Sequence, residues 1–92
     1  RSLGNPSVSD VEALYRLANN EAEAIQFKVK NSSKAVGIPL EKLATRDNLL
    51  VAYIIRNRKL IIPTGQDSIQ PSDQVIIITK DKYFDDIDDI LR

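Results

Sequence analysis

Basic side chains in the middle of the sequence are the groups best suited to hold a ligand. Arg56, Arg58 and Lys59 lie close together between two apolar runs, and Arg46 precedes the first run. Arginine binds a phosphate through paired hydrogen bonds, whereas lysine acts as a point charge. Arg46 and Arg56 are therefore candidate ligand-binding residues. The alternative is that the run at Arg56–Lys59 is only a solvated turn.

An acidic group near the end of the chain is the other candidate for chemistry. Asp85, Asp86, Asp88 and Asp89 follow one another closely, and carboxylates are ligands for hard cations. On a helix, however, these side chains would spread over about half of the circumference instead of converging on one point. We therefore expect no metal site and interpret the group as the solvated face of a helix.

The composition excludes several classes of chemistry. The 92 residues include no Cys and no His, which removes disulfides, cysteine nucleophiles and Ser–His–Asp triads. Only three glycines are present and they are scattered, so no glycine-rich phosphate loop exists. The 13 basic and 13 acidic residues balance, which argues against direct nucleic-acid binding. We expect a protein that is not an enzyme and requires no cofactor.

The chain carries no targeting or membrane-spanning pattern. No run approaches the roughly 18–20 apolar residues that a membrane span needs, and no signal-peptide pattern opens the sequence. We therefore expect no membrane insertion, and the absence of Cys fits a reducing compartment. The first residue is Arg, so we expect a fragment of a longer protein.

The stretch from Leu49 to Gly65 is typical of a β-hairpin. β-branched and aromatic residues fill both arms, and polar residues at Arg56–Lys59 form the turn. The first arm is apolar on both faces, so the sequence predicts cover on both sides. A second copy of the chain is the simplest extra cover. We expect Leu50, Ala52 and Ile54, or the opposite face, to form the interface of a homodimer.

The other elements predict an α+β fold with a small, mostly antiparallel, four-stranded sheet. A capping pattern at Ser9 and Glu12 predicts a helix through Ala18. The sequence further predicts a strand over 24–30, a short helix after Pro39, a strand over 74–80 and a closing helix over 83–91. We divide the chain into a linker and helix, 1–20, and one domain, 21–92.

Five short motifs in this order resemble the TrkA C-terminal (RCK-C) domain. They are Ser33-x3-Gly37-x2-Leu40-x2-Leu43, Ile54-x-Arg56, Ile62-Pro63-x-Gly65, Ile69-x-Pro71 and Asp73-x-Val75. The resemblance covers about residues 21–91, and it implies that the first helix connects to a nucleotide-binding RCK-N domain. Two positions depart from the family pattern: Ser72 stands where the family usually has Gly, and Leu50 stands where some members have Asn.

The resemblance implies a cytoplasmic, dimeric regulatory domain that senses a small ligand in a cation transport system, with potassium as the expected cation. Such a domain lies at the inner membrane only through its transporter partner. The alternatives are the effector-binding domain of a transcription regulator or of a cation–proton antiporter. Some members bind cyclic di-adenosine monophosphate (cyclic di-AMP) across the dimer axis. Carried over to this sequence, that ligand site comprises Arg46, Asn48, Leu50, Arg56 and Pro63.

Overall fold

The computed structural model describes residues 7–81 and 84–92. Five strands form one sheet: β1 (Ser9–Leu17), β2 (Ala22–Val29), β3 (Leu49–Arg56), β4 (Lys59–Ile61) and β5 (Gln74–Thr79). Their order across the sheet is β1-β2-β5-β3-β4, and all neighbouring strands are antiparallel. Two 3-10 turns, Leu40–Lys42 and Ile87–Ile90, complete the regular structure of the described residues. None of the helices in the described residues is long and apolar enough to cross a membrane.

The prediction of an α+β fold is wrong, although its mostly antiparallel sheet is present. The described residues form a five-stranded sheet with two 3-10 turns and no α-helix. The short helix predicted after Pro39 is the three-residue turn Leu40–Lys42. The core therefore forms between the sheet and long loops, where α-helices were expected.

The predicted N-terminal helix is strand β1. Ala18, at the end of the predicted helix, and the next two residues, Asn19 and Asn20, have φ angles of 52°, 56° and 70°. Asn tolerates this left-handed backbone better than most residues, and the turn reverses the chain so that β1 pairs with β2. As a strand, this segment pairs its backbone N–H and C=O groups with those of β2.

The predicted C-terminal helix is limited to the turn Ile87–Ile90, and Tyr83 lies outside the described residues. Asp86 accepts a hydrogen bond from the N–H of Ile87, and Asp89 accepts bonds from the N–H groups of Asp85 and Asp86. Aspartate side chains that bind backbone N–H groups compete with helix formation. The same side chains therefore cap a short turn, and Phe84 and Asp85 before it are not helical.

One face of the sheet carries the hydrophobic core. Ile25, Phe27, Ile54, Val75 and Ile77 are fully buried on this face. Loop residues cover it from the other side, and they are Ala35, Leu43, Ile69, Phe84, Ile87 and Ile90. This layer fixes the ends of β3 and β5, where the candidate site lies.

We call the other side of the sheet the open face, because the described residues do not cover it. From the strand register, it carries the apolar side chains of Tyr15, Ile76, Ile78, Leu50, Tyr53 and Leu60. Leu50 and Leu60 are 59% and 62% exposed, and Ile62, just after β4, is 74% exposed. The sequence predicted cover on both sides of β3, and the single chain supplies it on one.

Candidate functional site

Two pockets flank Leu50 at the beginning of β3. We call the first the Asn48 pocket; its volume is about 310 Å³, and Asn48 and Lys80 are polar residues on its wall. Asn48 has a φ of 64°, and its carbonyl accepts a 3.0 Å hydrogen bond from the N–H of Lys80. This bond fixes the loop before β3 to the end of β5. The remaining lining is Ala22, Leu49, Leu50, Ile78 and Thr79.

The second pocket, which we call the Glu41 pocket, has a volume of about 270 Å³ and lies on the other side of Leu50. Its apolar lining is Leu40, Leu49, Leu50, Val51 and Pro63, and its polar lining is Glu41, Thr45 and Thr64. Gly65 completes the wall. The lining comes from the 3-10 turn with the loop that follows it, from β3 and from the loop after β4, so three separate segments build this pocket.

The structure brings three of the five predicted ligand residues together around these pockets. Asn48 lines one pocket, Pro63 lines the other and Leu50 lines both. Ligand binding by these residues stays a prediction. Sequence reasoning missed Glu41 and Lys80, because neither lies in a motif that carries chemistry by itself. Pro63-x-Gly65 is the sequence motif whose residues line the Glu41 pocket, and it could have drawn attention to this pocket.

Arg46 lies apart from both pockets. Its guanidinium carbon is 5.9 Å from the centre of the Phe84 ring, and its Nε donates a 3.4 Å hydrogen bond to the carbonyl of Leu91. The backbone N–H of Arg46 also donates to the carbonyl of Ile90, at 2.8 Å. These contacts hold the loop before β3 against the C-terminal segment, so the position of Arg46 in this structure is structural.

Arg56 also lies apart from the pockets, in an ion pair with Asp73. Its Nε and Nη2 donate bonds of 2.9 and 2.8 Å to the two carboxylate oxygens, and Nη2 also donates to the carbonyl of Ser68. The Asp73 side chain is only 1% exposed, and it accepts a further bond from the N–H of Gln70. The hydrogen bond to Asp73 raises the pKa of Arg56 above its usual value. This pair joins the β3–β4 hairpin to the turn before β5.

The acidic residues near the C-terminus contact the rest of the chain. Asp86 is 7% exposed and accepts hydrogen bonds from the N–H of Val8 and the hydroxyl of Ser9. Asp88 accepts bonds from the hydroxyl of Ser33 and the N–H of Lys34. In the part of the chain that the structure describes, no group of three or more His, Cys, Asp or Glu side chains could hold a metal ion. The interpretation of these two residues as a solvated face is wrong.

The three residues expected at a dimer interface do not share a face. The register between β3 and β5 shifts between Val51 and Tyr53, so Ala52 lies at a bulge. A bulge inserts one residue and reverses the alternation of side chains beyond it. Leu50 consequently lies on the open face, whereas Ile54 is fully buried in the core. Homodimer formation itself stays a prediction.

Comparison with known proteins gives related sequences from several organisms, and three of them illustrate the range. A Trk system potassium uptake protein TrkA homolog 2 of Methanosarcina mazei is 27% identical over 88 residues, which are 96% of this chain and 19% of that protein. A TrkA homolog of Pyrococcus abyssi is 33% identical over 77 residues, 83% of this chain and 34% of that protein. The K(+)/H(+) antiporter NhaP2 of Shewanella baltica is 27% identical over 64 residues, 70% of this chain and 11% of that protein.

The chain therefore spans only a part, at most 34%, of each of these relatives. The family model of the TrkA-C domain matches residues 24–92. This match begins within β2 and includes every residue that lines the two pockets except Ala22. Strand β1 lies before the matched region. The resemblance found in the short motifs is confirmed, and the chain belongs to the TrkA-C domain family.

Proposed function

We propose that this chain is a regulatory domain of a potassium transport system, that it forms a homodimer and that it binds a small effector beside Leu50. The observation that carries the proposal is the TrkA-C match over residues 24–92, together with relatives named as potassium uptake proteins. In this role the domain catalyses no reaction. The full-length protein would be cytoplasmic and reach the inner membrane through a transporter subunit.

The Asn48 pocket is the proposed effector site. Lys80 supplies a positive charge, Asn48 supplies amide donors, and Leu50 and Ile78 offer apolar surface to a base. Lysine and amide donors are suited to phosphate oxygens, and flat aromatic rings pack well on aliphatic side chains. Cyclic di-AMP combines these groups, so it is the effector to test first.

A thermal-shift titration with cyclic di-AMP tests this assignment. A ligand at 100 times its dissociation constant adds about 2.7 kcal/mol of stability, which is a shift of roughly ten degrees or more for a domain of this size. We expect the shift in the wild type and in Arg46→Ala, since Arg46 does not line the pocket. Lys80→Ala should lose most of it. The absence of a shift at millimolar cyclic di-AMP, or a shift that Lys80→Ala leaves intact, would refute the effector assignment.

The open face is the proposed dimer interface. Leu50, Leu60 and Ile62 are more than half exposed on or beside it, and a contiguous apolar patch on a sheet face marks an interaction site. The occupant we propose is a second copy of the chain, related by a two-fold axis that repeats the contact on both sides. Leu50 lines both pockets, so this arrangement would place an effector at the edge of the interface.

Sedimentation equilibrium tests the dimer. Ile62→Lys and Leu60→Lys place a charge on or beside the open face, and we expect both variants to be monomers at concentrations where the wild type is a dimer. Val11→Lys is the matched control, because Val11 is 46% exposed but pairs with Phe27 on the other face of the sheet. A wild type that sediments as a monomer at tens of micromolar would contradict the dimer proposal.

A cation–proton antiporter is the second candidate for the regulated transporter. The match to the NhaP2 antiporter covers 70% of this chain, so the same domain type occurs in that class of protein. Fusing this chain in place of the matched segment of each relative, and measuring potassium uptake and potassium–proton exchange, would separate the two. Function in the antiporter fusion alone would favour the second candidate.

A further inference from the structure

The Glu41 pocket differs from the Asn48 pocket in charge, although the two share Leu49 and Leu50. Its lining contains Glu41 and no Lys or Arg, whereas the Asn48 pocket contains Lys80 and no Asp or Glu. A volume of about 270 Å³ exceeds the roughly 150 Å³ of an engineered cavity that holds benzene. The pocket is therefore large enough for a small organic molecule with an apolar body.

Backbone donors on the wall of the Glu41 pocket are already used within the chain. The N–H of Thr64 donates a 2.7 Å bond to Asp67, and the N–H groups of Leu40 and Glu41 donate to the carbonyls of Asp67 and Gly65. A phosphate needs N–H donors or cations in its binding site. These donors are unavailable to it, and the carboxylate of Glu41 would repel it.

Gly65 places the carboxylate of Glu41 at the wall of the pocket. A Cβ atom added at Gly65 would lie 3.0 Å from both Cβ and Oε2 of Glu41. This distance is shorter than an ordinary van der Waals contact, so a larger residue at Gly65 would move the Glu41 side chain. Among the described residues the Glu41 carboxylate has no hydrogen-bond or ion-pair partner, so it is available to a ligand.

We propose that the Glu41 pocket is a second ligand site, which binds a small amine with an apolar body and an ammonium head. The ammonium group donates to the Glu41 carboxylate, and the hydroxyls of Thr45 or Thr64 can accept further hydrogen bonds from it. The apolar body packs against Leu40, Val51 and Pro63, which line the same pocket. This site adjoins the proposed effector site through Leu49 and Leu50 and has the opposite charge preference.

Three probes of similar size test the charge preference: phenethylamine, 2-phenylethanol and 3-phenylpropanoate. Each is titrated into the isotope-labelled chain, and two-dimensional amide NMR reports the affected residues and the affinity. We expect phenethylamine to shift the amides of residues 40–51 and 63–65 and to bind more tightly than the alcohol. The acid should not bind at these residues.

Three variants test the role of the carboxylate. Glu41→Gln removes the charge and should weaken phenethylamine binding about fivefold, the effect of an exposed ion pair of about 1 kcal/mol. Gly65→Ala displaces the same carboxylate and should weaken binding as well. Asp85→Asn is the control, because Asp85 is an exposed carboxylate that lines neither pocket. Weaker binding to Glu41→Gln, with the control unchanged, supports the site.

Two results would overturn the second site. One is tighter binding of 3-phenylpropanoate than of phenethylamine at residues 40–51 and 63–65, and the other is phenethylamine binding that Glu41→Gln leaves unchanged. Neither result bears on the proposed function, since cyclic di-AMP binding and dimer formation have separate readouts at Lys80 and Ile62. Conversely, if the wild type is a monomer and does not bind cyclic di-AMP, the proposed function fails, but the phenethylamine titration still tests the second site.

Discussion

Replacing Arg56 with Leu removes one half of a buried ion pair and leaves the other half in place. Asp73 is 1% exposed and would keep a single described hydrogen bond, from the N–H of Gln70. Breaking a buried pair in this way typically costs 3–5 kcal/mol. Since the Arg56 side chain is 35% exposed, water relieves part of this cost, and we expect a loss of about 3 kcal/mol.

A loss of that size is large for this chain. Domains are stable by about 5–15 kcal/mol, and at 4–8 °C per kcal/mol the melting temperature should fall by roughly 12–24 °C. Urea unfolding, followed by circular dichroism, measures the free energy directly. Lys59→Leu is the matched control, because Lys59 is an exposed cation opposite Arg56 in the same hairpin. It should change the stability by less than about 0.5 kcal/mol.

A double variant separates two effects, the loss of the Arg56–Asp73 ion pair and the cost of leaving the Asp73 carboxylate buried without its partner. Asp73→Asn, added to Arg56→Leu, removes the unpaired carboxylate, so the double variant should be more stable than Arg56→Leu alone. A loss below about 0.5 kcal/mol in Arg56→Leu would refute the reasoning and would return Arg56 to the group of candidate ligand residues. A double variant less stable than both single variants would show that Asp73 acts mainly through its other hydrogen bond.

Three further variants test individual contacts, and urea unfolding measures each of them. Asp86→Ala removes the carboxylate that accepts hydrogen bonds from Val8 and Ser9 and from the N–H of Ile87. It should lower the free energy of unfolding by about 2 kcal/mol, and Ser9→Ala should lower it by less. Equal stability of Asp86→Ala and the wild type would contradict a stabilising role of these bonds. Arg58 has a φ of 66° at the β3–β4 turn, a left-handed conformation that glycine adopts more easily than arginine. Arg58→Gly should therefore stabilise the chain by roughly 0.5–1 kcal/mol. A less stable variant would exclude backbone strain at this position. Side-chain hydrogen bonds from Gln26, and to a lesser degree from Gln74, lower the pKa of Glu12 below its usual 4.5. The stability that this interaction contributes is present above pH 4.5, and it is lost as the pH falls through the lowered pKa. Glu12→Gln should therefore lose less stability than the wild type over that acidic range, and identical pH profiles would refute the interaction.

Much of the strand pattern followed from the sequence. Alternating residues predicted β2, and β-branched runs predicted β3 and β5, because one or both faces of these strands are apolar. The turn at Asn57 and Arg58 was also predicted at its observed place. The family resemblance came from short motifs in the loops and strands, and the TrkA-C match over residues 24–92 confirms it.

The terminal segments were predicted wrongly because their local patterns fit two structures. Ser9 and Glu12 have the spacing of a helix cap, yet the Ser9 hydroxyl donates to Asp86, far along the chain. Asp86, Asp88 and Asp89 could lie on a helix surface, yet their carboxylates accept hydrogen bonds from backbone N–H groups and from a loop hydroxyl. In both segments a partner distant in sequence decided between helix and extended chain.

The candidate site was likewise predicted only in part from the sequence. The sequence indicated Asn48, Leu50 and Pro63, and the fold places these three around adjoining pockets. Arg46 and Arg56 had equal claims from residue type alone, but each is held away from the pockets by a partner in another segment.

What the sequence by itself determined is therefore strands β2, β3 and β5, the central hairpin and the family, since these depend on side-chain alternation and local turns. The tertiary structure decided which face each residue occupies, because the bulge at Ala52 reverses the alternation that separates Leu50 from Ile54. It also decided which charges are free to bind, because hydrogen bonds between distant segments occupy Arg56 and Asp86 and leave Glu41 without a described partner. Contacts of this kind depend on the three-dimensional fold, and no local pattern contains them.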